Sequence, residues 1–286
     1  MKKKYFHLKY NLIELLMNNP PNYHQAISYN DYIQPSAPPQ PLSKSQKIQN
    51  LITKYEIDNL FSEKLDILSN FEIVLLIDDS GSMNTPLSNS NHNTRWDELK
   101  EVVNIVLEIA TIYDTDGIDI NFLNRNNHEN IYDLERVKYI LEDRPSGLTP
   151  LNNSLKMILD KYRDSVKPVL IVIATDGIPT NDFGKQDVDS FKNTLIQKNH
   201  SKFSVSFLAC SDQEQDVNYL NYLDRKVPNV DTLDDYNSEL IEVKKAQGKK
   251  FSYTFGDHIV RLLLGPLCPE LDSLDEKQVN CKCNIL

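Results

Sequence analysis

Short apolar runs recur along this chain between stretches whose apolar residues repeat at helical spacing, and that alternation constrains the fold more than any other feature. Phe71–Ile77 (FEIVLLI), Val169–Ala174 (VLIVIA) and Phe203–Cys210 (FSVSFLAC) are short runs of apolar and β-branched residues, and Ile118–Leu123 joins them as a further strand. Runs of this length and composition suit strands that are covered on both faces. Between them, helical periodicity predicts helices over Arg95–Tyr113, Asp133–Leu141, Pro150–Arg163, Gln186–Lys198 and Gln213–Lys226. In the first of these, Thr94 is placed to cap the start, and Leu99, Val102, Val103, Val106 and Ile109 form the inner stripe. A short edge strand over Val230–Thr232 and a last helix over Gly256–Leu264 complete the pattern. Strands separated by helices imply an α/β fold: an open, mostly parallel central sheet with helices on both faces.

The flanks read differently. Residues 1–41 form a disordered tail rich in Pro, Asn and Tyr, where neither helix nor strand persists. Residues 42–70 are a helical lead-in, with Ile48, Leu51, Ile52 and Tyr55 and then Leu60, Phe61, Leu65 and Leu68 at helical spacing. The domain spans 71–266, and 267–286 is a flexible C-terminal tail. A net charge of −10 argues against nucleic-acid binding, which needs a basic surface to neutralise phosphates. The basic N-terminus is not read as a signal peptide, because Lys9, Asn11 and Glu14 interrupt its apolar part. Four cysteines in this distribution suggest no disulfide framework, and the expectation is a body in a reducing, cytoplasmic compartment.

Oxygen-bearing residues gather where the strands end. Asp78, Ser80 and Ser82 follow the first run (IDDSGSM), Asp176 follows Val169–Ala174 (ATDGIPT), and Thr149 stands at a predicted helix start in SGLTPL. Open α/β sheets place ligands at the carboxyl ends of their strands. All five residues offer hard oxygen, which suits Mg²⁺ or Mn²⁺. Two carboxylates and three hydroxyls barely neutralise a divalent cation, so such a metal would stay electrophilic toward a partner's carboxylate.

Asp-x-Ser-x-Ser with a distant Thr and a distant Asp resembles the complete metal-ion-dependent adhesion site of von Willebrand factor A domains. With RWDEL, YDTDGIDINFLN, YLNYLD and LLLGP, it is similar to an intracellular subfamily of fungi and other microbial eukaryotes. The resemblance covers roughly residues 45–275 and implies a Rossmann-like fold. It implies Ser80, Ser82 and Thr149 as direct ligands and Asp78 and Asp176 as residues acting through water. Leu148 stands where that family usually has a second glycine after Gly147.

Further motifs lie near the ends. Pro20-Pro21-Asn22-Tyr23 is a PPxY motif, similar to ligands of WW-domain ubiquitin ligases. Pro35-Ser36-Ala37-Pro38 is a PSAP motif, similar to the tetrapeptide bound by ESCRT-I. Cys283-Asn284-Ile285-Leu286 has the form of a prenylation signal, and Cys281 offers a second acylation site; stable anchoring takes two signals. Trp96 is expected in the core, Cys210 as a buried and inert thiol, and Asp114, Asp116 and Asp119 as a turn before a strand. His92 and His128 are not paired into a zinc site.

The expected function is a non-enzymatic, metal-dependent protein-binding module. It would be peripheral on a cytosolic membrane face through its prenyl group and would grip an Asp or Glu of a partner through Mg²⁺. A metal-stabilised scaffold and a phosphatase-type hydrolase are the alternatives. Neither a Gly-x-Ser-x-Gly elbow nor a Walker-type phosphate loop is present.

Overall fold

Side chains alternate along each central strand, and each set is buried against a different layer of helices. The structure, a computed structural model, describes residues 42–87, 94–114, 116–211 and 214–276. In β1 (Glu72–Ile77), Ile73, Leu75 and Ile77 enter one apolar cluster while Val74 and Leu76 enter the other. β4 (Val169–Thr175) divides likewise, with Leu170 and Val172 on one side and Ile171 and Ile173 on the other. Each such fully buried Leu or Ile stabilises the fold by about 1.5–3 kcal/mol relative to exposure.

The other strands are β2 (Ile118–Phe122), β3 (His128–Ile131), β5 (Phe203–Ala209) and β6 (Val230–Leu233), and the six-stranded sheet runs β3-β2-β1-β4-β5-β6. β1 pairs in parallel with β2 and β4, β4 with β5, and β5 with β6, whereas β3 is antiparallel to β2. The fold is therefore α/β with a mixed, mostly parallel sheet. The order reverses direction between the adjacent strands β1 and β4, so their carboxyl ends open a crevice between diverging connections.

The helices are α1 (Lys44–Tyr55), α2 (Asn59–Ser62), α3 (Arg95–Tyr113), α4 (Leu134–Ile140), α5 (Leu151–Lys161), α6 (Val188–Gln197), α7 (Glu214–Lys226), α8 (Tyr236–Gln247), α9 (Phe255–Leu264) and α10 (Pro269–Asp272). α1, α3, α4, α9 and α10 contribute to the cluster around Ile73 and Leu75, and α5, α6 and α7 to the cluster around Val74 and Leu76. The lead-in is joined closely to this body. α1 starts with a capping box between Ser43 and Gln46, and the Asp58 amide donates to Asp257 Oδ1 of α9 (2.8 Å). Gly256 lies so near that a Cβ there would meet the Tyr55 carbonyl oxygen at 2.2 Å.

Three elements differ from the sequence expectation. β3 escapes it because only Ile131 of its residues is buried. α8 escapes it because its buried side chains are few and one is charged, Glu239 beside Val243. The packed body also continues past residue 266: Leu271 and Leu274 are fully buried, so the segment through Leu274 is not a flexible tail.

Candidate metal centre

β1 and β4 end side by side, and their register brings the two carboxylates together. Asp78 follows Ile77 and its amide donates to the Ala174 carbonyl (2.9 Å), two residues before Asp176. A tight turn follows in which the Ser80 amide donates to Asp78 Oδ1 (2.9 Å), and a short 3₁₀ turn over Gly81–Asn84 presents Ser82. Ser80 Oγ and Ser82 Oγ lie 3.0 Å apart, and Ser82 Oγ donates to Asp176 Oδ1 (2.8 Å). Four of the five expected residues thus share one hydrogen-bonded cluster. Asp78, Ser80 and Asp176 are buried, while Ser82 is exposed and opens the cluster to solvent.

Thr149 is placed beside this cluster by its neighbours. The Gly81 amide donates to the Gly147 carbonyl (3.2 Å), and the Ser146 amide to the Asp79 carbonyl (2.7 Å). On its other side, the Thr149 carbonyl accepts from the Thr180 amide (2.8 Å), while its own amide donates to Thr180 Oγ1 (3.1 Å). The loop before α5 is therefore fastened to the loops after both β1 and β4. Gly147 has φ +117°, and a Cβ there would fall 2.3 Å from Asn124 Oδ1, so this tight passage requires glycine. Leu148 is accommodated without strain of that kind: its amide donates to Asn124 Oδ1 and its carbonyl accepts from Asn124 Nδ2.

The electrostatics sort the carboxylates. Asp176 is paired with Arg95, whose Nη1 lies 2.7 Å from Oδ2 and whose Nη2 reaches Ser211 Oγ (3.0 Å). Asp79 turns away from the cluster and accepts from the Asn124 amide (2.8 Å) and from Arg125 Nε (2.8 Å). Arg125 in turn lies over the Trp96 ring, which is buried as expected and donates Nε1–H to the Leu141 carbonyl. Asp78 is different. Thr175 Oγ1 donates to its Oδ2 (2.6 Å), but among the described residues it has no cationic partner. Burial, together with the neighbouring Asp176 charge, pushes its carboxyl up to about 7. A buried carboxylate without a counter-ion, beside hydroxyls and a second carboxylate, is a donor set that fits a hard divalent cation.

Arg95, Arg125, Thr175 and Asp79 were not among the expected site residues. Asp79 and Thr175 stand beside Asp78 and Asp176 in the strand-end motifs and Arg95 opens RWDEL, whereas Arg125 lies outside these motifs. Cys210 is buried and its thiol is pushed well up by that burial, as expected for an inert thiol. His128 lies on β3 against Phe122. The PPxY and PSAP residues Pro20, Pro21, Tyr23, Pro35, Ser36, Ala37 and Pro38, with Cys281, Cys283 and His92, lie outside the described residues. No helix among the described residues is long and apolar enough to cross a membrane.

No family model and no curated protein matches the chain. Among solved structures, it is similar to the PilB minor pilin from Streptococcus sanguinis, at 14% identity and a TM-score of 0.44, covering 59% of this chain and 58% of that one. It is also similar to the open conformation of the pilus adhesin SpaC from Lactobacillus rhamnosus GG, at 12% identity and a TM-score of 0.44, covering 68% of this chain and 30% of that one. The chain thus spans well under two thirds of either protein, and likenesses this distant carry no functional argument. The family assignment made from the sequence does not stand. The resemblance to von Willebrand factor A domains is supported by no family model, and the similar structures are described as a pilin and a pilus adhesin, with no such domain named. The assignment is withdrawn, and with it the division into direct and water-mediated ligands that it implied.

Proposed function

We propose that the chain is a metal-dependent protein-binding module whose Mg²⁺ or Mn²⁺ is held by Asp78, Ser80, Ser82, Thr149 and Asp176. One observation carries the reading: Asp78 is fully buried with no cationic partner among the described residues, at the crevice between β1 and β4, inside a network that includes both serines and Asp176. When bound, the metal supplies an electrophilic, hard centre for a carboxylate oxygen of a partner's Asp or Glu. Ser82 lies on the exposed side of the network, where a partner would approach. Arg95 holds Asp176 in place and leaves its Oδ1 directed to Ser82. The loop at Gly147 fixes the backbone that presents Thr149.

The motifs at the ends extend this proposal to an adaptor. Cys283, with Cys281, would hold the chain on a cytosolic membrane face, and the PPxY and PSAP motifs would recruit a WW-domain ubiquitin ligase or ESCRT-I. Each contact is weak alone and gains from effective concentration at one surface. Loss of a prenyl mass increment and of membrane fractionation in Cys283→Ser checks that half separately.

For the metal half, Mn²⁺ is titrated into the full chain while water relaxation is followed. The expected result is an enhanced Mn²⁺ site that is lost in Asp176→Ala. A short Asp-containing peptide should displace coordinated water from it, and the Asn analogue should not. Binding of Mn²⁺ with no response to the acidic peptide would favour the scaffold reading, in which the metal serves stability alone.

A further inference from the structure

A second acidic cluster lies at the far side of the molecule from β3, around the edge strand β6. It assembles Asp224 from α7, Asp231 from β6 and Asp272 from the end of α10. One carboxylate oxygen from each lies within 4.8 Å of the other two. Like charges gathered from three separate elements repel, so something must offset them. Acidic clusters alone are common on protein surfaces, but here one member is buried.

Asp231 is 2% exposed, and among the described residues its Oδ2 accepts no hydrogen bond. Its register partner on β5 is Ser206, whose Oγ is fully buried and likewise without a partner. In-register residues of parallel strands project to the same face, so two unsatisfied oxygens sit side by side on the sheet. The backbone has made room for this carboxylate: a Cβ at Gly265 would lie 1.6 Å from Asp231 Oδ2, although Gly265 itself has ordinary helical dihedrals. Leaving a buried carboxylate oxygen unpaired costs stability.

The charge of Arg261 acts on Asp231, but its two Nη groups bond elsewhere and, among the described residues, its buried Nε has no hydrogen-bond partner. Arg261 pairs through Nη1 with Glu239 and through Nη2 with Asp275 (2.9 Å) and the Asp272 carbonyl (3.0 Å). Burial, the Asp272 charge and a hydrogen bond to the Asp272 carboxyl hold the Asp231 carboxyl well above the usual range. Beside the cluster opens a cleft of about 470 Å³ whose wall includes Asp224, Glu242, Asp275 and Glu276, with Arg225 as its basic residue. This cleft gives water and ions a route to Asp224.

We infer that Asp224, Asp231 and Asp272 form a second site for a hard divalent cation, calcium or magnesium, which fastens the segment after α9 to the edge of the sheet. Three carboxylates supply the negative charge and hard oxygen that such ions require, and water from the cleft completes their coordination. The role is structural: α7, β6 and α10 are tied at one point, and Ser206 adds a neighbouring polar oxygen.

The test uses the full chain carrying Asp176→Ala, which removes the first site, so the result does not depend on the proposed function. Calorimetric titration with CaCl₂, and separately with MgCl₂, should show one bound ion for at least one of the two metals. Adding Asp231→Asn should weaken it roughly ten-fold or more. Asp224→Asn, at a half-buried position that does not threaten folding, should weaken it similarly, with circular dichroism confirming native structure in both. The affinities in the two titrations identify the ion. Absence of binding in the Asp176→Ala chain would overturn the inference. So would unchanged affinity in either folded Asn variant, or an Asp231→Asn chain whose only change is a higher melting temperature, the mark of a proton shared between Asp231 and Asp272.

Discussion

Asp78 and Asp79 are neighbours in the chain and opposites in their surroundings. Asp79 is matched by Arg125 and Asn124, so Asp79→Ala leaves a half-buried guanidinium and an amide without their acceptor. The expected loss is about 3 kcal/mol in urea unfolding, near the lower end for a broken buried pair because Arg125 is partly solvated. Asp78→Asn removes instead a charge that repels Asp176, and the amide can still accept from the Ser80 backbone. In the presence of a chelator its stability should lie within about 1 kcal/mol of the parent, or slightly above it. The stabilisation by Mg²⁺ that the first site supplies should be lost, leaving at most the response of the Asp224, Asp231 and Asp272 cluster. The opposite pattern, a large loss for Asp78→Asn without metal, would remove the argument that this carboxylate awaits a cation. The sequence makes both aspartates visible at a strand end but does not divide them. That division depends on Arg95 and Arg125, whose roles appear only when α3 and the loop after β2 are folded against the strands.

At the scale of elements, what was legible follows how much apolar surface each one buries. β1, β4 and β5 could be read because they are covered on both faces, and α3 because one stripe carries its burial. α8 was not legible because its buried residues are Val243 and Glu239, the latter paired with Arg261, which leaves a weak apolar period. The cluster of Asp224, Asp231 and Asp272 was hidden for a related reason: its members come from three elements and share no spacing in sequence. The joint between α1 and α9 gives a direct test of element packing. Gly256→Ala places a methyl group against the Tyr55 carbonyl and the Ile57 side chain, both under 3.0 Å away. Overpacking of this kind should cost about 1–3 kcal/mol, read as a lower denaturation midpoint with an unchanged slope.

Over the whole molecule, buried acids set the response to pH. Burial is the leading cause that pushes Asp78, Asp114, Asp224 and Glu239 each up to about 7. The folded state therefore takes up protons on these groups at higher pH than the unfolded state does. Their contribution to stability is full below the ordinary carboxylate range, about pH 4, and is lost as pH rises through 7. His258 acts in the other direction: burial lowers it to about 3, so its contribution fades as pH falls below about 6.5. The raised acids outnumber the lowered histidines His258 and His128, which predicts that the metal-free protein melts at a higher temperature at pH 5.5 than at pH 8, as differential scanning fluorimetry in chelator would measure. Divalent cations should narrow the gap by restoring stability at pH 8. A metal-free protein most stable at pH 8 would contradict this account. The margins of the sheet matter at this scale too. Its outermost strands, β3 and β6, have four residues each; β3 exposes Glu129 and Asn130, and β6 carries Asp231. Short, charged margins are poor templates for strand addition by another chain. Many copies crowded onto one surface would thus have little tendency to polymerise edge to edge into fibrils, even with their central strands as apolar as those that form amyloid.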